Sequence, residues 1–473
     1  MTSPRMAIIG AGPAGLTAAR ELAQRGLCPL VLEASRAVGG LARTEQYRGY
    51  RFDIGGHRFF TRHAEIRQVW RETLGADLLR VSRLSRIVYR QRLFDYPLSP
   101  FNALVNLGAI ESTRVIGSYA ASRLWPVRPE ATFEDWMRNR FGRRLYDIFF
   151  RSYTEKVWGI PGHRMGAEWA AQRIRGLSLG EALKGAVFGG ARAPSLIPEF
   201  DYPRLGAGQI WERFAADVES AGGTVLLDHT VTRVAHAGGR VTHLAAAAPG
   251  GERQFPVAAV ISTMPLARLV ASLDPEPPAA VREAAAGLKH RAVVVVLLIV
   301  ARRRLFPDTW LYVHDRALRV GRVQNLGNWS EALLADSATS ALGLEYFCSE
   351  GDGLWDEPDE AMMALARREV ETLGLASASE MVDGRIVRQR DAYPVYDPGY
   401  TGRVGAIRKH LDMLPNLQTI GRGGMHRYNN QDHSMLTGRI AAANVVGGCE
   451  DPWLVNGDDE YLEMAEFEPG VQS

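Results

Sequence analysis

Four short segments of this sequence combine residue types that suit chemistry on a bound ligand. His57 follows a glycine pair, and Tyr428–Ser434 places tyrosine, amide, carboxylate and imidazole side chains in a row. Tyr153 and Trp158 flank a Glu–Lys pair, and residues 93–98 predict an aromatic turn. Glycines let a backbone approach a ligand closely, which favours a binding role for the segment around His57. We therefore expect these segments to contribute to one site.

Each of these residues also has an ordinary structural interpretation. Taken singly, Tyr153 and Trp158 are typical of core residues, and the Glu–Lys pair between them need not interact. Asp432 with His433 is compatible with a simple helix cap, and the arginine run at 302–304 is typical of a solvated turn. The functional interpretation depends on the joint order of the segments along the chain.

The N-terminal residues predict the scaffold that positions such a site. An apolar strand, an Ala- and Leu-rich helix and a second strand form a βαβ unit, which opens a doubly wound parallel sheet. Gly10, Gly12 and Gly15 permit a tight turn, the approach of a pyrophosphate and close helix–strand packing. The helix N-terminus faces the phosphates, and Glu33 can accept hydrogen bonds from the adenosine ribose. A glycine-rich turn without a ligand is the alternative.

The loop after Glu33 distinguishes FAD from NAD, because both cofactors use the same glycine fingerprint. Gly39–Thr44 reads GGLART, a loop that can wrap the pyrophosphate from the far side, and Arg43 can supply a charge-assisted contact. This GGxxRT extension resembles flavoproteins of the amine oxidase and protoporphyrinogen oxidase superfamily, in which the dinucleotide stays bound and extended. The resemblance implies FAD as the cofactor.

A second glycine-rich loop lies near the C-terminus. Residues 417–421 predict a strand, Gly421–Gly424 a loop, and the residues from about Met435 to Val446 a helix. A helix N-terminus aimed at the flavin would stabilise negative charge on the reduced ring. In the superfamily named above, this strand–loop–helix covers the isoalloxazine. A plain helix cap with glycine turns is the alternative.

Composition and length restrict the architecture and the partners. A chain of 473 residues is longer than a domain with a single hydrophobic core usually is. A net charge of +3 is too small to favour nucleic acid as a partner. Three scattered cysteines predict neither a disulfide framework nor a metal site, so a reducing cytoplasm is the expected location. The N-terminus has no apolar signal core. The run Val293–Ala301 is too short to span a bilayer and predicts a buried strand.

One segment, Leu104–Leu124, is apolar enough to lie either on a membrane surface or on the protein's own core. Glu111, Ser112 and Arg114 interrupt its apolar pattern. The expectation is therefore a helix packed on its own protein, and no integral membrane segment is predicted.

The distribution of helix-like and strand-like segments along the chain predicts a nucleotide-binding domain assembled from three separated parts. The predicted fold is α/β, with a Rossmann-like FAD-binding domain, a doubly wound parallel sheet, and an inserted α+β substrate domain. The first insertion is expected to be mainly helical and the second rich in strands. The predicted FAD-binding segments are residues 1–75, 204–265 and 405–450, the substrate segments are residues 76–203 and 266–404, and residues 451–473 form a C-terminal tail.

The order of these motifs resembles the UDP-galactopyranose mutase family. YTEKxWG is the most specific match, and the similarity is patchy between residues 162 and 390. After the N-terminal fingerprint, the matches are GGHRFFT at 55–61 with the mutase GAHIFHT, LFDYPL at 93–98 with LFNLPF, YTEKVWG at 153–159 with YTEKQWG, YPV at 393–395 with YPV, and GRGGMHRYNNQDHSM at 421–435 with GGRLAxYKYYDMH.

The resemblance implies roles for individual residues. Arg322 looks like the arginine that grips the diphosphate; Leu177 or Ser178 lies where a second such arginine is expected, with Arg175 as a candidate substitute. The implied catalytic residues are His57, Arg322, Tyr428 and Asp432; the substrate-binding residues are Tyr153, Trp158, Arg173, Arg175 and Arg322; and the expected FAD-binding residues are Gly10, Gly12, Pro13, Ala14, Gly15, Glu33, Gly40, Arg43, Gly56, His57, Val231, Gly421, Arg422 and Met435.

Two functions are compatible with these resemblances. The mutase resemblance implies pyranose/furanose ring isomerisation of a nucleotide sugar through a flavin N5–sugar adduct, with no net redox change. The superfamily resemblance also supports an FAD-dependent oxidoreductase, such as an oxidase, dehydrogenase or desaturase. Arg302–Arg304, Trp310–His314 and Asn325–Ser330 have no obvious equivalent in the mutases, which leaves the sugar and the nucleotide open. A small-molecule substrate is expected in both cases, and a homodimer is compatible with the sequence.

Overall fold

Two large sheets organise the residues that the computed structural model describes, which are 5–96, 98, 100–166 and 198–456. Two small two-stranded sheets accompany them. In chain order the strands are β1 (Arg5–Ile9), β2 (Leu30–Leu32), β3 (Thr44–Tyr47), β4 (Tyr50–Asp53), β5 (Leu78–Ser82), β6 (Ser85–Tyr89), β7 (Arg92–Asp95), β8 (Glu199–Pro203), β9 (Thr224–Leu226), β10 (Thr230–Ala237), β11 (Arg240–Ala248), β12 (Gly251–Ser262), β13 (Leu273–Asp274), β14 (His290–Val300), β15 (Trp310–Val313), β16 (Arg322–Asn325), β17 (Ser340–Cys348), β18 (Met381–Pro394) and β19 (Leu417–Thr419).

Helices connect the strands of the first sheet and also form a separate layer after β7. A π-helical turn at Tyr146–Phe150 joins the two helices on either side of it. In chain order the helices are α1 (Pro13–Gln24), α2 (Ala64–Leu74), α3 (Pro100–Leu107), α4 (Ala109–Leu124), α5 (Phe133–Phe141), α6 (Arg143–Leu145), α7 (Arg151–Trp158), α8 (Gly208–Ser220), α9 (Leu266–Ser272), α10 (Ala279–Ala286), α11 (Asp359–Thr372), α12 (Tyr400–Leu411), α13 (Gly421–Gly424) and α14 (Gln431–Val445).

The first sheet contains the predicted nucleotide-binding scaffold. Its strand order is β13-β10-β11-β12-β1-β2-β9, and β19 also pairs with β12. The pairs that join β19, β12, β1, β2 and β9 are all parallel, as a doubly wound sheet requires. The long strand β12 pairs antiparallel with β11 at its start and parallel with β1 at its end. The predicted fold class is confirmed.

Helices α1 and α14 pack against each other beside this sheet. The buried face of α1 is made of small and aliphatic residues, including Ala14, Leu16 and Leu22. Gly438 of α14 faces this surface, and a Cβ on Gly438 would lie only 2.4 Å from the carbonyl oxygen of Ala14. A glycine is therefore required for the two helices to approach this closely. The last helix of the nucleotide scaffold thus closes on the first.

The second sheet has the order β18-β14-β17-β16-β15-β6-β7. Strand β14, which lies between β18 and β17, is buried along residues 291–300, so the buried strand predicted for the VVVVLLIV run is present. β6 and β7 also belong to this sheet, although residues 76–203 are predicted from the sequence to be mainly helical. Short strands rich in arginine do not show the alternation that reveals a strand. The limits of the predicted domains stay a prediction.

The final helix begins at Gln431, four residues before the start predicted near Met435. Asn430 and His433 form a capping box there, since the backbone N–H of Asn430 donates to Nδ1 of His433 at 3.3 Å. The polar cluster that the sequence places before the helix is therefore its N-cap and first turn. The first turn of this helix consists of polar side chains and has no apolar periodicity. The sequence pattern therefore places the start of the helix too late.

Helix α4 contacts the rest of the protein through one face only, and Val115 is its single buried residue. The sequence predicts a helix packed on its own protein, and the structure shows a helix that is largely exposed. No helix among the described residues combines the length and the apolarity that crossing a membrane requires.

Candidate active site

The glycine fingerprint forms a tight turn between β1 and α1. Gly10 has a φ of +98°, and a Cβ on it would lie 2.1 Å from Oγ1 of Thr263. A Cβ on Gly15 would lie 2.0 Å from the carbonyl oxygen of Gly10. Larger residues do not fit at either position without moving the backbone. The structure therefore contains the turn and the close helix–strand packing that the fingerprint predicts.

The second glycine loop lies directly against this turn. A Cβ on Gly40 would lie 3.1 Å from the Cα of Gly12, and the N–H of Gly39 donates to the carbonyl oxygen of Ala11 at 2.8 Å. The two loops thus form one groove at the N-terminus of α1, where free N–H groups and the helix dipole favour a phosphate. The pyrophosphate contacts expected of Gly12, Pro13, Ala14 and Gly40 stay predictions.

Glu33 lies one residue after β2, beside the groove. Its Oε2 accepts a hydrogen bond from the N–H of Ala11 at 2.7 Å, and its Oε1 accepts from the N–H and hydroxyl of Ser35 at 2.9 and 2.7 Å. These bonds hold the carboxylate where the fingerprint places the ribose. Val231 is buried in β10, and its expected contact with the cofactor stays a prediction.

Arg43 connects the glycine loop to the second sheet. Its Nε donates to Glu45 at 2.7 Å, and its Nη1 donates to the carbonyl oxygen of Gly40 at 3.0 Å and to Oε1 of Gln389 at 2.7 Å. The guanidinium of Arg43 therefore links the glycine loop to Gln389 of β18. The pyrophosphate contact expected of it stays a prediction.

The C-terminal glycine segment forms the short helix α13, which packs onto α1. Gly421 has a φ of +74°, and a Cβ on it would lie 2.8 Å from the Cβ of Ala14. Its N–H donates to Oγ1 of Thr437 at 3.2 Å. Met435 is fully buried, and its sulfur accepts a hydrogen bond from the indole of Trp70 at 3.2 Å. The side chain of Met435 thus points into the core, so a contact with the cofactor would come from its backbone.

A cavity opens beside the groove and gathers the four predicted catalytic residues. Leu41 of the second glycine loop forms part of its wall, which joins the cavity to the groove. The structure therefore brings together side chains from three distant parts of the chain. The predicted site residues in the wall are Gly56, His57, Arg322, Arg422, Tyr428 and Asp432.

The glycine pair before His57 makes room for protein side chains. Gly55 has a φ of +95°, and a Cβ on it would lie 3.2 Å from a carboxylate oxygen of Glu345. A Cβ on Gly56 would lie 2.3 Å from the ring of Trp310. The sequence predicts that these glycines admit a ligand, whereas their nearest neighbours in the structure are a buried carboxylate and an indole.

Arg322 is held by a buried carboxylate at the base of the cavity. Its Nη2 donates to Glu345 at 2.5 Å and to the hydroxyl of Tyr393 at 3.0 Å, and Glu345 is fully buried. Gln324 donates to the other oxygen of Glu345 at 2.9 Å. Burial is the largest single influence and lowers the pKa of Arg322. The Glu345 carboxylate together with Tyr393, Tyr153 and Tyr428 more than offsets it, so the pKa of Arg322 lies well above its usual value. The guanidinium is charged and fixed in direction.

His57 is neutral at physiological pH. Burial in the cavity wall, together with the charges of Arg422 and Arg322, lowers the pKa of His57 to about 3. An uncharged imidazole can accept or donate a hydrogen bond without adding to the positive charge of the cavity.

Two tyrosines and an arginine form another part of the cavity wall. The rings of Tyr393 and Tyr428 lie 5.8 Å apart and nearly parallel, at 14°. The guanidinium of Arg422 lies 4.4 Å from the ring centre of Tyr428 and 5.8 Å from that of Tyr393. Arg422 also donates to the carbonyl oxygens of Asn429 and Ala392, at 3.0 and 3.1 Å, which fixes it there.

The wall of the cavity contains polar atoms that suit a bound ligand. Nδ1 of His57, Nε of Arg322 and Nε1 of Trp310 are buried and have no hydrogen-bond partner among the described residues. Buried polar atoms are paired in most native proteins, so three such atoms around one cavity fit a polar group held between them. The residues present therefore fit the predicted FAD and a polar substrate.

Tyr153 and Trp158 lie behind the cavity wall. Tyr153 contacts Tyr312 edge-on at 5.5 Å, while Trp158 lies 6.3 Å from Tyr393 and 5.9 Å from Tyr428. They support three aromatic rings that line the cavity. Direct contact between these two residues and a substrate stays a prediction.

Lys156, which lies between Tyr153 and Trp158 in the sequence, is held by three backbone carbonyl groups. Its ammonium donates to the carbonyl oxygens of Val313, Asp315 and Val320 at 3.0, 2.7 and 3.2 Å. Burial lowers the pKa of Lys156 to about 8, against the opposing charges of Glu369 and Asp315. The lysine thus pins the loop that leads into Arg322.

Asp432 lines the cavity and accepts a hydrogen bond from the N–H of His433 at 2.9 Å.

Several residues of the site are not among those predicted from the sequence. Glu345 had one signal in the sequence, because it is the lone charged residue in the apolar run SALGLEYFC, and a buried carboxylate needs a partner. Arg173 and Arg175 lie outside the described residues. The further lining residues are Arg58, Arg83, Trp310, Tyr312 and Tyr393.

Comparison with known proteins identifies a family for this chain. The family described as "Flavin containing amine oxidoreductase" matches residues 13–445. A Klebsiella pneumoniae protein named "Probable UDP-galactopyranose mutase" is 25% identical over 184 residues, which are 35% of this chain and 44% of that protein. This chain therefore spans less than half the length of that curated relative.

Solved structures show the same fold. A reduced UDP-galactopyranose mutase superposes with a TM-score of 0.84 and 22% identity, covering 96% of this chain and 98% of the mutase. A protein from Exiguobacterium sp. 255-15 named as a protoporphyrinogen oxidase superposes with a TM-score of 0.71 and 19% identity, covering 94% of this chain and 99% of the other. At these identities the likeness concerns the fold alone.

Proposed function

The chain belongs to the family of flavin containing amine oxidoreductases, and we propose that with FAD bound it isomerises the ring of a nucleotide-activated sugar. The observation that carries the proposal is the buried guanidinium of Arg322, which lines the cavity with Arg422 and neutral His57. Guanidinium groups bind phosphate oxygens through charge-assisted and often bidentate hydrogen bonds. A cavity with this charge suits the diphosphate of a nucleotide sugar.

The same charge argues against an amine substrate. Two nearly parallel aromatic rings, such as Tyr393 and Tyr428, form a surface that attracts a cation. The cation over these rings is the protein's own Arg422. The cavity wall contains two carboxylates, Glu199 and Asp432, but four arginines, Arg58, Arg83, Arg322 and Arg422, so a protonated amine would meet a net positive charge there.

The residues of the cavity have distinct tasks in the proposed reaction. When bound, reduced FAD supplies the nucleophile for the anomeric carbon of the sugar. Arg322 and Arg422 bind the diphosphate and stabilise the charge that develops on it as its bond to the sugar breaks. Glu345 and Tyr393 hold Arg322 in position, and His57 offers a ring nitrogen as a neutral hydrogen-bond partner.

A net redox reaction is the second candidate, namely that of an FAD-dependent oxidoreductase. The observation in its favour is the pairing of Arg322 with Glu345, because this carboxylate offsets the positive charge that a diphosphate would need. The second diphosphate-binding arginine expected from the mutase resemblance also has no clear counterpart in the sequence.

The two candidates differ in their electron balance. The FAD-loaded protein is reduced with dithionite and incubated with a panel of nucleotide sugars, and the products are separated by chromatography. The mutase proposal expects isomerisation with reduced protein only, and no net consumption of electrons. Formation of peroxide, or reduction of a dye while a substrate is lost irreversibly, would contradict it and support the redox reaction.

The variant Arg322→Lys tests the role of the guanidinium while the positive charge beside Glu345 is kept. A lysine cannot make the paired hydrogen bonds of an arginine, so we expect kcat/KM for isomerisation to fall about 100-fold. The matched control is Arg303→Lys on the exposed turn, which leaves kcat/KM unchanged. Unchanged binding of a nucleoside diphosphate to Arg322→Lys, measured by calorimetry, would overturn the assignment of Arg322.

A further inference from the structure

Helix α4 presents its large apolar side chains to solvent, whereas its protein-facing side combines polar residues with the buried Val115 and with Tyr119, which packs on the core. The inward side contains Glu111, Ser112 and Ser118 around the buried Val115. The hydroxyl of Ser112 donates to the carbonyl oxygen of Leu104 at 2.6 Å, and the hydroxyl of Ser118 accepts from the N–H of Arg144 at 3.0 Å. A surface helix of a globular protein normally has the reverse arrangement.

The outward side presents large apolar side chains to solvent. Ile110 and Trp125 are each 75% exposed, Leu124 is 70% exposed and Ile116 is 49% exposed. Val105, near the end of α3, is 60% exposed and lies in the same hairpin. Five of the eleven large apolar residues that are exposed among the described residues thus lie within 21 consecutive positions. A concentration of this kind marks an interaction surface.

Arginines border this apolar side on both flanks. Arg114 and Arg123 are exposed and nine residues apart, which is two and a half helical turns, so they lie on opposite edges of the stripe. The only carboxylate of the helix, Glu111, pairs with Arg144, at 3.0 Å for one of its oxygens, and more distantly with Arg114, at 3.8 Å, whose side chain stays 65% exposed. Residues 84–145 contain ten arginines and five carboxylates, an excess of +5, whereas the whole chain carries +3.

We propose that the outer face of α4, with Val105 and Trp125, docks on an anionic lipid bilayer and lies parallel to the membrane plane. A convex apolar stripe with arginines on both edges suits this partner, because the aliphatic side chains enter the acyl boundary while the guanidinium groups reach lipid phosphates. A tryptophan at the end of the helix matches the preference of indole rings for the interface. Electrostatic attraction to anionic lipid supplies the second signal that stable surface binding requires.

This inference is independent of the reaction proposed above, because none of these residues lines the cavity. Failure of either proposal therefore leaves the other unaffected.

Co-sedimentation with vesicles tests the proposal directly. The FAD-loaded full chain is mixed with vesicles of phosphatidylcholine, with or without phosphatidylglycerol. We expect binding to the vesicles that contain phosphatidylglycerol, and a loss of binding as salt is raised. The triple variant Ile110→Ser, Leu124→Ser and Trp125→Ser is expected to lower the partition coefficient at least about tenfold.

The chain offers a matched control at three exposed apolar residues elsewhere. The variant Val382→Ser, Met413→Ser and Leu454→Ser removes side chains that are 56%, 60% and 75% exposed, and it is expected to bind vesicles as the parent protein does. The pair Arg114→Gln and Arg123→Gln is expected to weaken the dependence on phosphatidylglycerol while the melting temperature stays unchanged.

Three results would overturn the proposal. The first is equal vesicle binding by the parent protein and the α4 triple variant, or binding by neither. The second is a change from dimer to monomer in the triple variant, measured by light scattering, with no vesicle binding, because a second copy would then cover the face. The third is a lower melting temperature for the triple variant with no vesicle binding, because a segment of the same chain would then cover it.

Discussion

The cofactor groove is made of backbone and glycines from residues 10–44, whereas the cavity beside it is made of charged and aromatic side chains from distant parts of the chain. In the groove, Gly10 and Gly15 fit because they have no side chain. In the cavity, Arg322 and Glu345 fit because each compensates the other's burial. The first region is thus sensitive to added atoms and the second to lost charges.

The largest effect is expected where the cavity loses one partner of its ion pair. Arg322→Ala leaves the fully buried Glu345 without its counter-charge, so we expect the free energy of unfolding to fall by about 3–5 kcal/mol. Denaturant titration of the FAD-loaded protein measures this change. The exposed pair Arg282–Glu276 supplies the control, because Arg282→Ala is expected to cost less than about 1 kcal/mol.

The same pair allows a rescue that sharpens the comparison. Arg322→Met combined with Glu345→Gln removes both charges and keeps an acceptor for Gln324. Most of the lost stability is expected to return, while isomerisation stays absent. If the double variant is as unstable as Arg322→Ala, packing around Arg322 and not charge compensation dominates the cavity.

In the groove, an intermediate effect is expected from a single added methyl group. Gly15→Ala places a Cβ 2.0 Å from a carbonyl oxygen, so the backbone must shift, at a cost of about 2–3 kcal/mol. Most of the purified protein is expected to lack flavin, measured by the ratio of flavin to protein absorbance. Gly405→Ala in α12 is the matched control, since its Cβ meets open space and alanine favours a helix.

The smallest effect is expected from pH, and it concerns His314, which stacks on Tyr153 behind the cavity wall. Burial, followed by the charge of Lys156, lowers the pKa of His314 to about 3 in the folded protein, below its usual 6.5. Between these values the unfolded chain binds a proton that the folded protein does not, so stability falls as the pH decreases. His314→Phe is expected to reduce this slope by up to about 1.4 kcal/mol per pH unit, whereas the exposed His243→Phe leaves it unchanged.

The groove could be predicted from the sequence because its residues act locally. Gly10, Gly12, Gly15 and Glu33 lie within one βαβ unit. Their spacing in the sequence therefore already determines the backbone geometry from which the role of each residue follows. FAD as the cofactor and the doubly wound sheet are confirmed on this basis.

The cavity could be predicted only in part, because its contacts join distant strands. Arg322 lies opposite Glu345 through the register of β16 and β17, which no local pattern reveals. The glycines before His57 indicate close packing correctly, but the partners are Glu345 and Trp310. The substrate contact predicted for Tyr153 stays a prediction, and in the structure its ring packs edge-on against Tyr312. Sequence patterns identify that a residue is packed closely, and only the tertiary structure identifies its neighbour.

The contact between α1 and α14 has a consequence for biosynthesis. Gly438 packs onto Ala14, and β19 completes the parallel sheet beside β12, so the first helix finds its final partners more than 400 residues later. A chain that emerges from the ribosome N-terminus first must hold its glycine turn uncovered until residues 417–445 have been made. Such long-range closure also slows folding. Newly made chains are therefore expected to capture FAD only after these residues have emerged, which makes the supply of free cofactor a determinant of yield.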